Sequence, residues 1–232
     1  MMLAVVEPQS SGPGGGSLLL VWDARVRKLA FYEGLASAPA LMPVDWAHTA
    51  DGGAIDLHVL DRTGRVVGVP GTLRTLALVD AKTGKLPWER LFRDAIATAD
   101  GGFAMPHYLH TILSERPELA HEAAFAGYFD ATGVPLPVGA MLHNPELAAT
   151  LRQIATRGAE ALHGGAIAQD IVAETTSGRY PGTLTADDLA GYQVHQRDPV
   201  CLVAFDRRIC RGFPVRPQSK ISGMGRESRK SG

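Results

Sequence analysis

The chain has 232 residues, of which 45% are hydrophobic and 20% charged, and its formal net charge is −1. This composition is typical of a soluble globular protein with one large domain or two small ones, and it excludes fibrous, collagen-like and disulfide-scaffold proteins. No apolar run approaches the roughly 18 to 20 residues that a membrane-spanning helix requires.

The small net charge conceals a sharp change in charge near the C-terminus. Residues 1–206 carry a clear acidic excess, whereas residues 207–232 contain eight Lys or Arg residues and a single Glu. From residue 215 onward there is also no hydrophobic periodicity, which is typical of a disordered segment. Because this basic tail has no aromatic residues for base stacking, we do not expect it to bind nucleic acid.

The N-terminal third of the chain predicts a β-hairpin followed by a loop-rich region. A glycine-rich run at 12–16 precedes an apolar strand at 17–22, and a returning strand is expected at 29–32. Residues 34–64 show little periodicity and are interrupted by Pro and Gly, which indicates loops.

Helices are predicted for the middle of the chain. Thr72 is the expected N-cap of the first of them, and an apolar face from Trp88 to Ala99 predicts a second. Asn144 before Pro145 marks a third start, with Gly158 as its stop. Further helical patterns follow around residues 167–172 and after Thr185, where Asp188 completes a capping box.

Two strands are predicted after these helices, at 199–205 and 208–213. The predicted fold class is therefore mixed α/β (α+β) and helix-rich, with strands near both ends. The two cysteines, Cys201 and Cys210, lie on these neighbouring strands and could pair in a hairpin. Two free buried thiols are the commoner outcome, and the sequence favours that interpretation.

The residues show no self-contained active site. The glycine run at 12–16 lacks the Gly-Lys-Ser/Thr ending of a phosphate-binding loop and does not open a helix, so a structural turn is favoured. His107 and His110 share a helical face, with His121 further on, but no His-Glu-x-x-His pattern accompanies them, so no metal site is expected. No cofactor and no catalytic residue are assigned from these patterns.

Several stretches together resemble the γ-glutamyltransferase (γ-glutamyltranspeptidase) family, in order and in spacing. They are Val6–Gly16, Val67–Thr72, Gly84–Trp88, Ala95–Ala97 with Gly102–Phe103, Asn144–Leu151 and Leu184–Tyr192. The resemblance implies part of a four-layer αββα sandwich of the N-terminal-nucleophile hydrolases, with residues 1–214 as a truncated segment of the large subunit. It also implies transfer or hydrolysis of γ-glutamyl groups from glutathione and related amides, without a metal or an organic cofactor.

In this family a precursor cleaves itself, and the N-terminal Thr of the small subunit becomes the nucleophile. We expect this chain to lack that Thr, so that it depends on a partner small subunit and is inactive alone. Thr175, Thr176 and Ser177 only superficially resemble the nucleophile motif and are rejected. Family members are commonly periplasmic or secreted, but the first residues show no signal peptide.

One departure from the family pattern concerns the substrate pocket. The family carries an Arg for the substrate carboxylate in a pattern like Asp-Gly-Arg-Glu-x-Ala-Pro, and the aligned stretch from Glu33 to Pro39 places Leu35 at that position. Leucine cannot make the bidentate carboxylate contact of a guanidinium. Arg25 and Arg27, in the predicted hairpin turn, are not obvious substitutes.

Three interpretations follow from these departures. The first is a γ-glutamyl enzyme segment, and the second is a relative that hydrolyses another amide, such as a glutaryl amide. The third is an inactive gene remnant or a scaffold subunit. Because the family pattern stops at Pro214, we hypothesise an out-of-frame tail at 215–232. Nucleotide sequence in which a one-base shift past codon 214 does not restore the pattern contradicts this hypothesis.

Overall fold

The computed structural model describes residues 1–212 and is rich in short helices. The α-helices are α1 (Met2–Val6), α2 (Leu57–Leu60), α3 (Thr72–Thr83), α4 (Arg93–Gly101), α5 (His107–Glu115), α6 (Pro145–Arg157), α7 (Glu160–His163), α8 (Ala166–Thr175) and α9 (Ala186–Gly191). The 3₁₀ helices are Gly64–Val66, Trp88–Leu91, Pro117–His121 and Ala123–Tyr128.

The strands form three small antiparallel sheets in the described part of the chain. They are β1 (Ser17–Asp23), β2 (Lys28–Gly34), β3 (Phe103–Ala104), β4 (Met141–Leu142), β5 (His195–Arg197), β6 (Val200–Ala204) and β7 (Arg207–Arg211). β1 and β2 form the predicted hairpin, and β5 adds to the other side of β2. The other two sheets are the pairs β3–β4 and β6–β7. The mixed, helix-rich fold class is confirmed.

Three hydrophobic clusters hold these elements together. The first lies between α4 and α6, where Phe92, Leu151 and Ile154 are buried. The second surrounds α5, and the third joins α8 and α9. Burial of such side chains stabilises the fold by roughly 1.5–3 kcal/mol each. The third cluster includes Tyr192 and Val69, which also line the cavity described below.

Two of the predicted helix starts are confirmed by their capping contacts. The side-chain oxygen of Asn144 accepts a hydrogen bond from the backbone N–H of Leu147 at 2.8 Å. Thr185 and Asp188 form the predicted capping box at the start of α9. The stop at Gly158 is confirmed as well, since its φ of 73° lies in the left-handed region that glycine adopts readily.

Two other predicted helix starts are wrong. Thr72 is the first residue of α3, and Gly71 is its N-cap. The N–H groups of both residues donate to the carbonyl of Gly15 at 3.0 Å, so a tertiary contact takes the place of a side-chain cap. The predicted helix from Trp88 starts as a 3₁₀ turn, and α4 begins only at Arg93. The tighter 3₁₀ winding changes the rotation per residue, and Leu91 is 43% exposed instead of buried.

The favoured interpretation of two free thiols is also wrong, because Cys201 and Cys210 form a disulfide. They lie directly opposite each other in the antiparallel register of β6 and β7. Directly opposed residues in an antiparallel pair have their side chains close together on one face, which allows the bond.

Within residues 1–212, no helix combines the length and apolar character that a membrane crossing requires. The basic tail predicted to be disordered, at 215–232, lies outside the described residues.

The disulfide predicts the thiol content of the purified chain. When the chain is alkylated at harvest, we expect neither cysteine to be alkylated, because both form the disulfide. After denaturation and reduction we expect two free thiols, since the sequence contains only two cysteines. Thiol titration under denaturing conditions and intact mass measure both states, and a Cys201→Ser variant with one free thiol calibrates the signal. Two alkylated cysteines before reduction would contradict the bond.

Candidate functional site

The position singled out by the sequence, Leu35, lines a cavity of about 1,030 Å³. Leu35 directly follows β2 and is 40% exposed. The segment from Leu35 to Ala40 forms one wall of the cavity, the end of α9 forms another, and β5 contributes His195 and Arg197. The cavity therefore collects residues from two distant parts of the chain, 33–40 and 187–197, together with Val69.

Tyr192 fixes the backbone at Leu35. Its hydroxyl donates a hydrogen bond to the carbonyl oxygen of Leu35 at 2.7 Å. This approach requires Gly71, since a Cβ at that position would lie 2.1 Å from the hydroxyl oxygen. Gly16 also packs closely on this segment, since a Cβ at that position would lie 2.9 Å from the Cα of Leu35. The glycine-rich run at 12–16 thus forms a structural turn that supports the cavity wall.

Arg74 on α3 holds the end of α9 beside the cavity. Its Nη1 donates to the carbonyl oxygens of Ala190, at 2.9 Å, and of Tyr192. Its Nε and Nη2 donate to the two carboxylate oxygens of Glu160 at 3.1 and 2.8 Å. This bidentate hydrogen bond with Arg74 lowers the pKa of Glu160.

His163 on α7 is buried, with an exposed fraction of 1%, and packs against the loop that precedes α3. Its Nε2 lies 2.9 Å from the carbonyl oxygen of Pro70. This contact connects α7 to the loop that carries Gly71, which is the residue against which the Tyr192 hydroxyl packs.

Asp188 ties the start of α9 to the wall formed by Leu35 to Ala40. One carboxylate oxygen accepts from the backbone N–H of Ala40 at 2.9 Å, and the other accepts from the backbone N–H and hydroxyl of Thr185. Burial raises the pKa of Asp188, but these hydrogen bonds to the charged form outweigh it, and the net direction is downward.

An ion pair between β2 and β5 brings charge into the cavity. The Nε of Arg197 donates to a carboxylate oxygen of Glu33 at 2.6 Å. The pKa of the neighbouring Tyr192 is raised, first by burial and then by the negative charge of Glu33.

Comparison with known proteins identifies the family. The family model described as gamma-glutamyltranspeptidase matches residues 1–220. The chain belongs to the γ-glutamyltranspeptidase family. The matched region extends past residue 214, where the sequence patterns predicted that the resemblance ends.

Curated relatives and solved structures agree with this assignment. The chain is 33% identical to glutathione hydrolase 7 of Bos taurus over 202 residues, covering 87% of this chain and 29% of the relative. It is 30% identical to the glutathione hydrolase proenzyme of Bacillus subtilis (strain 168), covering 85% and 33%. The γ-glutamyltranspeptidase structure of Helicobacter pylori superposes with a TM-score of 0.82 at 26% identity, covering 92% of this chain and 60% of that one.

These matches identify the fold and show what share of the relatives the chain covers. The structural neighbours are γ-glutamyltranspeptidases, so the N-terminal-nucleophile hydrolase fold predicted from the resemblance is confirmed. The chain spans about 30% of the length of the curated relatives.

The other residues considered in the sequence lie away from the cavity. Arg25 and Arg27 lie in the turn between β1 and β2. The hydroxyls of Thr175, Thr176 and Ser177 donate to backbone carbonyls of α8, at 2.8, 2.6 and 2.8 Å.

The histidines considered as metal ligands are also absent from the residues that line the cavity. His107 and His110 lie in α5, where Nδ1 of His110 is 3.0 Å from the carbonyl oxygen of Leu136. Across residues 1–212, no group of three or more His, Cys, Asp or Glu side chains is placed to hold a metal ion.

Sequence reasoning missed Tyr192, Arg74 and Arg197 as site residues. Tyr192 enters the sequence analysis only as the end of the family-like stretch Leu184–Tyr192, and Arg74 lies within a predicted helix without any motif of its own. The order of the strands, with β5 beside β2, was the missing information, because it brings Arg197 to Glu33.

The contacts of Asp188 predict an acid-dependent contribution to stability. Its pKa is lower in the folded chain than the ordinary value of about 3.9 that holds in the unfolded chain. The contribution is therefore complete above about pH 4 and is lost as the pH falls through the folded-state pKa.

We expect the Asp188→Asn variant to lose less unfolding free energy than the parent between pH 5 and pH 3, measured by chemical denaturation at low protein concentration. Asp187→Asn is the matched control, since Asp187 is adjacent and exposed, and it should behave like the parent. Equal pH dependence in the parent and the Asp188 variant would contradict the assigned role.

Proposed function

We propose that this chain is part of the large subunit of a γ-glutamyl transferase or hydrolase, with glutathione and related γ-glutamyl amides as substrates. The observation that carries the proposal is the family match over residues 1–220 together with the cavity at Leu35. The relatives named glutathione hydrolase support the substrate class.

In the proposed reaction, the chain binds the acyl part of the substrate and a second chain supplies the nucleophile. A Thr hydroxyl on the partner small subunit attacks the amide carbonyl, its own α-amine takes the proton, and the leaving amine receives a proton. Water or another amine then attacks the acyl-enzyme and releases the Thr. The residues of this chain position the acyl group, and by itself the chain is inactive.

The outer edge of β1 supports the need for a partner chain. In the described residues, β1 has a strand neighbour on one side only. Leu18, Leu20 and Trp22 on one of its faces are 46%, 46% and 57% exposed. An open strand edge with exposed apolar side chains favours pairing with another strand. The relative described as a proenzyme is consistent with a two-part molecule that derives from one precursor.

A second candidate is hydrolysis of a different amide, such as a glutaryl amide. Leu35 favours it, because an apolar side chain stands where the family pattern carries an Arg. In that case the cavity accepts an acyl group that differs from γ-glutamyl.

Release of a chromogenic amine from a γ-glutamyl anilide tests the proposed function. We expect no release by the purified chain alone, and release when a polypeptide encoded immediately downstream is added. A glutaryl anilide assayed in parallel separates the two candidate substrates. The control is the downstream polypeptide without this chain.

No release of either anilide in any combination would count against both enzymatic candidates and favour a gene remnant or a scaffold. Release by this chain alone would overturn the proposed need for a partner nucleophile.

The exposed face of β1 also predicts how the isolated chain behaves in solution. We expect aggregation of the purified chain, since the strand edge and its apolar side chains are uncovered. Size-exclusion chromatography with light scattering measures this, and Leu20→Lys should reduce aggregation whereas Leu41→Lys, at an exposed loop position, should not. A monodisperse parent chain that melts cooperatively would disagree with an uncovered interface.

A further inference from the structure

The β6–β7 hairpin forms a sheet of its own. In residues 1–212 its two strands pair only with each other, and the disulfide between Cys201 and Cys210 links them. Its base adjoins the sheet beside the cavity, because β6 follows β5 after two residues, and a Cβ at Gly212 would lie 2.2 Å from the ring of Phe31 on β2. A two-stranded hairpin is marginally stable in water by itself, so the disulfide helps to keep this one formed.

Apolar side chains are exposed on both faces of this hairpin and at its turn. Leu202 lies opposite Ile209 in the register, and these two side chains, 59% and 49% exposed, share one face. Val203, on the other face, is 78% exposed, and Phe205 at the turn is 93% exposed. A flat protein surface covers one face of a hairpin, whereas the headgroup layer of a bilayer surrounds an inserted tip on all sides. Exposure on both faces and at the turn therefore favours a bilayer.

Arginine side chains lie beside these apolar residues. Arg207 and Arg208 directly follow the turn, are exposed and point to opposite faces of the hairpin. Arg211 lies at the base of the hairpin, on the same strand. A long basic side chain next to an inserted apolar group can extend to the lipid phosphates while its methylene groups stay in the apolar layer.

Acidic residues oppose this attraction in part. Asp206 is exposed at the turn itself, and Asp198 is exposed just before β6. Residues 198–232 nevertheless contain eight Lys or Arg residues against three Asp or Glu residues, whereas residues 1–197 carry an acidic excess. The basic residues of the chain are thus concentrated from the hairpin onward, and a cluster of this kind is attracted to an anionic lipid surface.

We infer that the tip of the β6–β7 hairpin binds anionic phospholipid bilayers. Phe205 and Val203 insert among the headgroups, and Arg207 and Arg208 contact the lipid phosphates. A few apolar side chains or a few cations alone bind a bilayer weakly, so both contributions are needed for a peripheral, reversible attachment. The inference goes beyond the proposed function and uses neither the cavity nor the nucleophile.

Vesicle flotation tests the inference on the full chain, because protein bound to vesicles rises in a density gradient whereas aggregated protein sediments. The vesicles contain phosphatidylcholine alone, or phosphatidylcholine and phosphatidylserine in equal amounts. We expect flotation with the phosphatidylserine vesicles and roughly tenfold weaker partition into the neutral ones. Raised ionic strength should weaken the binding, because salt screens the attraction between the arginines and the lipid phosphates.

Substitution of the apolar tip tests insertion. Phe205→Ser should weaken partition into phosphatidylserine vesicles by about tenfold, since it removes the most exposed aromatic side chain of the hairpin. Val44→Ser is the control, because Val44 is a fully exposed apolar residue in a loop outside the hairpin, and it should leave partition unchanged. Intact mass without reduction verifies that each variant retains the disulfide.

Substitution of the charges tests the contact with phosphate. Arg207→Gln combined with Arg208→Gln should weaken partition by about tenfold or more. Arg90→Gln combined with Arg93→Gln changes the net charge equally at two exposed positions outside the hairpin, and it should have no effect. Asp206→Asn should strengthen partition, because it removes the opposing charge, and Asn tolerates the left-handed φ of 56° at this position.

Absence of flotation, equal flotation with both kinds of vesicle, or flotation that the hairpin substitutions leave unchanged would overturn the inference. Addition of the downstream polypeptide distinguishes a lipid from a protein as the occupant. Undiminished flotation in its presence supports the bilayer, whereas loss of flotation indicates that protein covers the hairpin and also overturns the inference. The anilide assay is independent of these outcomes, since flotation needs no catalysis.

Discussion

The hydrogen bond from the Tyr192 hydroxyl to the Leu35 carbonyl joins two residues that are 157 positions apart, and the geometry of the cavity depends on it. The bond exists because Gly71 has no side chain at the point where the hydroxyl passes. Arg74 in turn holds Tyr192, because it donates hydrogen bonds to the backbone carbonyls of Ala190 and Tyr192 at the end of α9. The wall at Leu35 is thus positioned by contacts from the ends of α3 and α9, and by the backbone bridge between Ser37 and Val69.

Apolar side chains are buried among the helices but exposed on β1. The helices bury their apolar faces in three clusters, whereas β1 keeps an open edge and exposed apolar side chains in the described part of the chain. The sheet that borders the cavity is therefore the part that a further strand could extend. Substrate binding and partner binding are proposed for adjacent regions of this one sheet, which joins the two through β2.

The chemistry of the cavity depends on how charge is distributed over neighbouring strands. β5 supplies Arg197, the one Lys or Arg among the described residues that line the cavity, and Glu33 on β2 holds it in an ion pair. The pairing of β2 with β5 thus brings this cation and its carboxylate partner together, although they are far apart in the sequence.

The sequence by itself determined family membership, from the order of its motifs, and the features that depend on local contacts: the β1–β2 hairpin, the caps at Asn144 and Thr185, and the stop at Gly158. The signals for these local features lie within a few residues of the structure they specify. Only the tertiary structure decided the start of α3, where Gly15 replaces a side-chain cap, and the disulfide, which needs Cys201 directly opposite Cys210. It alone also decided the cavity, because strand order and the close approach at Gly71 bring together residues that no local pattern connects.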